Sequence, residues 1–437
     1  MSPEMNPELT GVIGLLVVFL LMAMNMPVGI TLAAVGYIGS VSLIGWKAGT
    51  AILGISPFEM AKSYMFSVIP LFVLMAEFCI VSDLGKDMFK AVQKWLGHLH
   101  GGLAIATIGA CAGFGAVCGS SLAGAATLGK LTLPEMRRFN YSPKLATGCV
   151  AAGGTLSIMI PPSLTFVFYA IITEQSVGKL FIAGILPGLL ITGLFMLAIY
   201  IITKRNPTLG PPLAKASWAE RFKTGKDSWP VMVLFLIVSG GIWVGFFTPT
   251  EAAGVGVFVA FILVAIKKRL TGETLTRALK DTARTSGMMF LIVYGAMIFC
   301  YFMALSRLPL ALSDFVTNLG ISRYGVLAVI IVVYLFLGCT MDTLAMQLLT
   351  LPIICPAAFA LGFDPIWFGV VICLLVEIAF ITPPIGVNVF IIAGIAKDVP
   401  MDIVFRGIFP FFVALMVALI ILIIFPQIAL FLPSFMR

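Results

Sequence analysis

The chain has 437 residues, of which 60% are hydrophobic and only 11% charged, with a mean hydropathy of +1.11; a soluble domain carries about 25% charged residues, so a soluble enzyme or binding module is excluded. Long apolar runs separated by short polar links, in place of alternating segments of about ten residues, exclude an outer-membrane barrel and predict a bundle of membrane-spanning helices. The formal net charge of +8 resides in those links, where it carries orientation information and does not mark a nucleic-acid surface.

At the N-terminus, MSPEMNPE is acidic and lacks the basic leader of a signal peptide, so the first apolar run, Gly11 to Met24, is expected to stay as a spanning helix. Scaffold helices are predicted within 8–82, followed by an amphipathic arm over 83–100. There Met88, Phe89, Val92 and Trp95 interleave with charged residues at helical spacing, as suits a helix lying along the membrane surface. A re-entrant hairpin over 103–133, an interrupted helix over 142–172 and a closing helix over 180–203 complete a first unit, 1–205. A polar, Pro-rich linker, 206–227, reads as a loop with one surface helix. The second unit, 228–437, repeats the order: scaffold helices in 229–305, an arm over 306–320, a hairpin over 325–357, a broken helix over 366–396 and a closing helix over 404–432.

The repeat is visible in the prolines. Pro27, Pro134, Pro161 and Pro162 have counterparts Pro249, Pro356, Pro383 and Pro384, each displaced by 222 residues. Charge predicts that the copies are inverted. The link between the second and third helices carries Lys47 and Lys62 in copy one, but six basic residues from Lys267 to Arg284 in copy two. The hairpin end carrying Lys130, Arg137, Arg138 and Lys144 has no basic counterpart between Leu344 and Trp367. With the N-terminus outside, the segments 83–100, 130–144, 204–226, 267–284 and 397–406 lie in the cytoplasm and hold 21 of the 27 basic residues, which places both termini, including Arg437, in the periplasm.

The first hairpin has eight glycines between Gly101 and Gly129, with Ser120 and Ser121 near its middle and no charge before Lys130. Small residues permit close helix packing, which is one reading. The other makes Gly119, Ser120 and Ser121 the tip of a segment that enters halfway and turns back, where carbonyls and hydroxyls can hold an ion. The interrupted helix supports the second reading: in IMIPPS, Pro162 removes a donor and disfavours helix at Pro161, freeing carbonyls that a cation could satisfy. Copy two repeats the break as ITPPIGVN, with Thr382 before it and Asn388 after. The half-helices beginning at Ser163 and Gly386 would aim their positive ends at the centre, favouring an anionic ligand such as a carboxylate.

In the second hairpin Asp342 and Thr343 stand where Ser120 and Ser121 stand in the first. An acid at that depth is a functional candidate, assigned here to sodium coordination, with proton carriage or a hairpin cap as the alternatives. Glu251, in TPTEAAG, reads as part of a capping box. Glu377 is either internally hydrogen-bonded or near the ion, Glu77 lies near the interface, and Arg307 is either a snorkelling anchor or a partner for a substrate carboxylate. The eight cysteines have no metal spacing and read as packing residues. An intramembrane protease would need partners that His98 and His100, at the membrane edge, do not supply. A channel would need repeated charged positions, and none occur.

Together the GSS hairpin, the IMIPPS break, the MD hairpin with its paired prolines and the TPPIGVN break resemble the large M subunit of tripartite ATP-independent periplasmic (TRAP) transporters, over essentially the whole chain. The resemblance implies an all-α polytopic membrane protein of the bacterial inner membrane. Its expected form is an elevator-type transporter, similar to the ion transporter superfamily, in which hairpins and broken helices slide against a scaffold. It implies no enzyme activity and no organic cofactor, with Na+ as coupling ion. It also implies two partners: a small membrane subunit (Q subunit) of four helices, and a periplasmic substrate-binding protein (P subunit) delivering an organic acid of the C4-dicarboxylate or sialic acid class. Carried onto matching positions, one sodium falls at Gly119, Ser120 and Ser121 with carbonyls near Gly154 and Ile160, and a second at Gly338, Asp342, Thr343 and Thr382. The substrate falls near Ser121, Ser163, Thr343 and Asn388, with Arg307 at the cavity mouth. A proton-coupled organic-anion transporter that works without a binding protein is the rival expectation.

Overall fold

A computed structural model describes residues 6–318, 320–338, 341, 343–383 and 386–436. Asp342, Pro384 and Arg437, singled out above, lie outside the described residues. Among those described there is no strand: the chain is all-helical. Among the described residues six helices are long and apolar enough to cross a membrane, or eight if each of two bent pairs is one span, the first bent by 41° at residues 160–163 and the second by 48° between Trp218–Asp227 and Trp229–Val244.

The order begins with α1 (Pro7–Ala23), α2 (Val28–Ile44), α3 (Trp46–Lys62) and α4 (Val68–Val81). Helix α1 is started by Asn6, whose side chain accepts from Glu8 N–H, with Pro7 in the first turn where its missing donor is harmless. The segment from Lys47 to Lys62, expected as a polar link, instead lies in the 17-residue helix Trp46–Lys62 despite Pro57. Its Gly, Ala and Ile residues give one side enough apolar surface to lie against its neighbours.

Next come the arm α5 (Leu84–Leu96), the hairpin α6 (Gly102–Cys118) and α7 (Ser121–Arg138), and the broken pair α8 (Pro143–Met159) and α9 (Leu164–Thr173). After α10 (Val177–Arg205), the linker carries the surface helix α11 (Trp218–Asp227), whose capping box is made by Ser217 and Glu220. The apolar stretch from Trp229 to Phe247 is not one regular helix. It runs as α12 (Trp229–Phe235), a π-helical turn at Leu236–Gly240 and α13 (Gly241–Val244).

Helix α14 (Pro249–Ile266) opens with the capping box read from sequence. Thr248 Oγ1 accepts from Glu251 N–H at 3.3 Å, and Glu251 Oε2 accepts from Thr248 N–H at 2.8 Å. Helix α15 (Gly272–Ser306) corrects the boundary of the basic link. A cap at Thr271 and Thr274 starts a helix of 35 residues, so Arg277, Lys280 and Arg284 lie on it and not in a loop. At 1.5 Å per residue it is about 52 Å long and overhangs the ~30 Å hydrocarbon layer.

The chain ends with α16 (Leu308–Asn318), α17 (Arg323–Leu337), α18 (Thr343–Ala360), α19 (Pro365–Ile381), α20 (Val387–Ile395), α21 (Met401–Ile424) and α22 (Gln427–Leu430). Helix α19 is capped by Asp364, whose Oδ1 accepts from Ile366 and Trp367 N–H. Helices α1, α2, α4, α14 and α15 pack together, while α6 to α9 and α18 to α21 enclose the site.

Helices α8 and α21 cross at Gly148 and Gly407, and a Cβ on Gly148 would collide with the Gly407 carbonyl oxygen. Gly148→Leu is therefore expected to prise α21 from α8 and cost about 3 kcal/mol or more, as overpacked cores do. It should appear as a lower melting temperature of the detergent-solubilised protein, and an unchanged melting temperature would refute the crossing.

Candidate functional site

The site is built where the first hairpin turns. Helix α6 ends at Gly119, whose φ of +63° is left-handed, and a Cβ there would stand 2.5 Å from the Pro162 carbonyl oxygen. Glycine is thus required twice, for the turn and for the approach to the break between α8 and α9. Ser120 is extended and its Oγ accepts from Ala123 N–H at 3.4 Å, so it caps α7. Ser121 follows, buried, at the first turn of that helix.

Asn388 ties this tip to the rest. Its Nδ2 donates to Ser121 Oγ at 2.7 Å and to the Ala151 carbonyl at 3.1 Å. A carbonyl only accepts, so the second bond settles which end of the amide faces α8. Two consecutive helices, α7 and α8, therefore meet the distant α20 on one side chain. The Asn388 Oδ1 is buried without a hydrogen-bond partner.

Further unpartnered oxygens lie nearby. Ser157 Oγ on α8 would sit within 3 Å of a Cβ on either Gly115 or Gly124, so it is lodged between the arms of the hairpin, and it has no partner. Ser163, at the start of α9, is buried and does not cap its helix, leaving its hydroxyl free. Gly154 lets α8 lie against the start of α7: a Cβ there would be 3.1 Å from the Ser121 carbonyl. Ile160, extended, ends α8 at the break. Buried polar groups are normally paired, so these unpaired oxygens around one hairpin tip make it the candidate site.

The matching region of the second half is less complete in the described residues. Gly338, at the end of α17, abuts Ala379 of α19. Thr343 begins α18. Thr382 donates its hydroxyl to the Ile378 carbonyl at 2.6 Å, leaving only oxygen lone pairs for a ligand. Gly386, with φ of +44°, opens α20, and a Cβ on it would stand 3.3 Å from the Thr382 carbonyl oxygen. Among the described residues no three His, Cys, Asp or Glu side chains come together as a metal site. Neutral hydroxyl and carbonyl oxygens suit a hard cation.

Arg307 forms no ion pair among the described residues. It is exposed, left-handed at φ of +55°, and turns the corner from α15 to α16, where its neighbours Ser306 and Leu308 rest on Gly11 of α1. Two side chains now join the candidates. Ser157 could have been noticed as a hydroxyl three residues before the break. Gln347 lies fully buried in α18 with neither amide atom partnered, and an amide inside the apolar run LAMQLL was its only signal. Glu377 is fully buried on α19, its carboxyl facing the Met159 backbone, and Cys373, one turn earlier, donates to the Ile158 carbonyl at 3.7 Å. The end of α8 therefore lies against the middle of α19.

A cavity of about 660 Å³ opens between the α3–α15 side and α9 with α18, lined among others by Phe66, Phe168, Glu174, Cys300, Tyr301 and Leu348. It is large enough for a small organic molecule.

Residues 15–428 match the family model for the DctM component of tripartite ATP-independent periplasmic transporters. The chain belongs to that family. It is 35% identical to the C4-dicarboxylate TRAP transporter large permease DctM of Pseudomonas aeruginosa, over 88% of this chain and 90% of that one. It is 32% identical to the sialic acid large permease SiaM of Vibrio cholerae, over 94% and 95%. It is also 32% identical to the ectoine/5-hydroxyectoine large permease UehC of Ruegeria pomeroyi, over 95% and 97%. Among solved structures, the YdaH transporter of Alcanivorax borkumensis shares the fold with a TM-score of 0.60 at 16% identity, covering 98% of both chains. The chain is thus a multi-pass membrane protein and a TRAP large permease, with the dependence on a binding protein that the family carries.

Proposed function

We propose that this permease is the translocating subunit of a sodium-coupled importer of a small organic acid, moving its site by an elevator motion. The observation that carries the reading is Asn388, which joins the first hairpin to both broken helices and leaves neutral oxygens unpaired around their junction. A cation among those oxygens would order the tip and make the site competent for an anion, the usual logic of coupling at broken helices. We place one sodium at Gly119, Ser120 and Ser121 with the Gly154 and Ile160 carbonyls, and a second at Gly338, Asp342, Thr343 and Thr382. The substrate lies near Ser121, Ser163, Thr343 and Asn388. Arg307 stays in the substrate set as a partner for a carboxylate at the cavity mouth, one turn beyond Ala304 of the cavity wall.

The two-copy reading is supported by element ends. Helices α7 and α18 have 18 residues each and begin at Ser121 and Thr343, 222 apart, and α8 and α19 have 17 each and begin at Pro143 and Pro365, again 222 apart. Inversion of the copies and periplasmic termini rest on the charge distribution. The relatives named above carry C4-dicarboxylates, sialic acid and ectoine, which sets the class of substrate we expect. A separate small membrane subunit and a periplasmic binding protein complete the system. The isethionate permease DctMQ of Oleidesulfovibrio alaskensis, of which this chain covers 65%, is longer by about the size such a subunit would need.

The test is uptake by the reconstituted complex. Transport should require both an inward sodium gradient and the binding protein, and Asp342→Ala should lower it at least tenfold with membrane insertion intact. Uptake indifferent to sodium would defeat the coupling reading. The proton-driven alternative has one observation of its own, the buried Glu377 with no ion partner among the described residues. It predicts uptake that follows a pH gradient without sodium and is abolished in Glu377→Gln.

A further inference from the structure

Two hollows lie side by side where the arm α5 meets the ends of α12 and α14. One, of about 270 Å³, is lined by Asp83, Asp87, Lys86, Lys90, Lys267 and Arg269. The other, of about 380 Å³, shares Asp87 and Lys267 and is walled by Trp229, Pro230, Leu263 and Ile266, with Lys226 and Asp227 at its edge.

The charges are not evenly matched. Arg269 pairs with Asp83 at 2.7 Å and Lys267 pairs with Asp87, while Lys267 Nζ also donates to the Ser82 carbonyl at 3.1 Å. Those two cations are thereby committed to the α4–α5 corner. Lys86 and Lys90 are exposed, one helical turn apart on α5, and form no ion pair among the described residues. The positive surplus therefore faces the first hollow, and the apolar wall lies next to it.

That wall is not internal core. Trp229 is 46% exposed and Ile266 63% exposed. Ile266 ends a helix long and apolar enough to span a membrane, so the pair sits where hydrocarbon gives way to headgroups, the level at which Trp is favoured. A free phosphate would use the lysines and have no use for the wall; an acyl chain alone would use the wall and have no use for the lysines.

We infer that this double hollow holds one anionic phospholipid, its phosphate between Lys86 and Lys90 and the start of its acyl chains over Trp229 and Ile266. The inference needs only that the chain spans a membrane; it is independent of the substrate and of sodium. Bound there, the lipid would brace the arm α5 against α14.

Native mass spectrometry of the delipidated full-length protein, in the complex it forms with its membrane partner, tests this with phosphatidylglycerol and phosphatidylcholine as probes. Phosphatidylglycerol should be retained preferentially. At about a fivefold change per basic residue near a headgroup, Lys86→Gln with Lys90→Gln should weaken it roughly 30-fold, while the paired arginine replacements preserve binding. Trp229→Ala should weaken phosphatidylglycerol, and inorganic phosphate at millimolar concentration should fail to displace it. Equal retention of both lipids, wild-type retention by the double glutamine variant, or displacement by phosphate alone would each overturn the assignment. So would protection of Lys86 and Lys90 from amine labelling in the delipidated complex, since a protein partner would then occupy the surface.

Discussion

Asn388→Ala should abolish transport while leaving the protein inserted. Its amide is the only described side chain that bonds to both the first hairpin and α8 from the second half of the chain. Truncation leaves Ser121 Oγ and the Ala151 carbonyl without that donor in a buried setting, at about 1–3 kcal/mol for each group left unsatisfied. A loss of this size at the point where three elements meet should reduce uptake by at least two orders of magnitude and lower the melting temperature by several degrees. A double-mutant cycle with Ser121→Ala makes the test specific. Residues sharing one hydrogen bond should show a coupling of about 0.5–3 kcal/mol, whereas independent effects would show that the bond is not made in the working protein. Asn388→Leu, which keeps the bulk and removes the polarity, should be as inactive as the alanine variant if polarity is what matters.

Gly119→Ala is expected to be comparably severe by a different route. A left-handed conformation costs an L-residue roughly 1–2 kcal/mol. In addition the new methyl would stand 2.5 Å from the Pro162 carbonyl oxygen, which is backbone held by the proline pair and cannot swing away. Either the hairpin tip or the break must move. The expected outcome is loss of sodium-dependent uptake with near-normal expression, measured against Gly124→Ala, whose methyl would meet the Ser157 hydroxyl, a side chain that can rotate. If the two variants transport equally, the tip is not docked on the break. An intermediate loss in Gly124→Ala with complete loss in Gly119→Ala would support the docking directly.

Much of the architecture was legible before any coordinates. Apolar run length determines spanning helices because hydrocarbon offers no hydrogen-bond partners to a backbone. A proline pair breaks a helix through its own covalent geometry, and a Thr-Pro-x-Glu start caps a helix through contacts three residues apart. These are local effects, and the capping box at Thr248 and Glu251 follows from them. The extent of α15 was not legible. Hydropathy stops at the membrane boundary while helical hydrogen bonding does not, so polar turns from Gly272 onward continue a helix that reads as a loop. The π turn at Leu236–Gly240 escaped for a similar reason, since one extra residue per turn leaves no mark in composition.

In the site, sequence pointed to the glycine-serine tip and to both breaks because small residues and prolines restrict the chain wherever they stand. It also selected Asn388 by its place beside a break, yet could not say what that amide bonds to. Nor could it single out Ser157 or Gln347, ordinary polar residues whose significance lies in having no partner once buried. Arg307, a lone cation near a predicted mouth, is attractive in sequence, and the structure sets it exposed at the turn from α15 to α16, one turn beyond Ala304 of the cavity wall. What the sequence determined by itself was the solvent and the two points where helices must stop, because each depends on residues adjacent in the chain. Which of those interruptions touch, and which oxygens are left facing one another when they do, was decided by the packing of α7, α8 and α20, because a contact across 267 residues depends on shapes that no local pattern records.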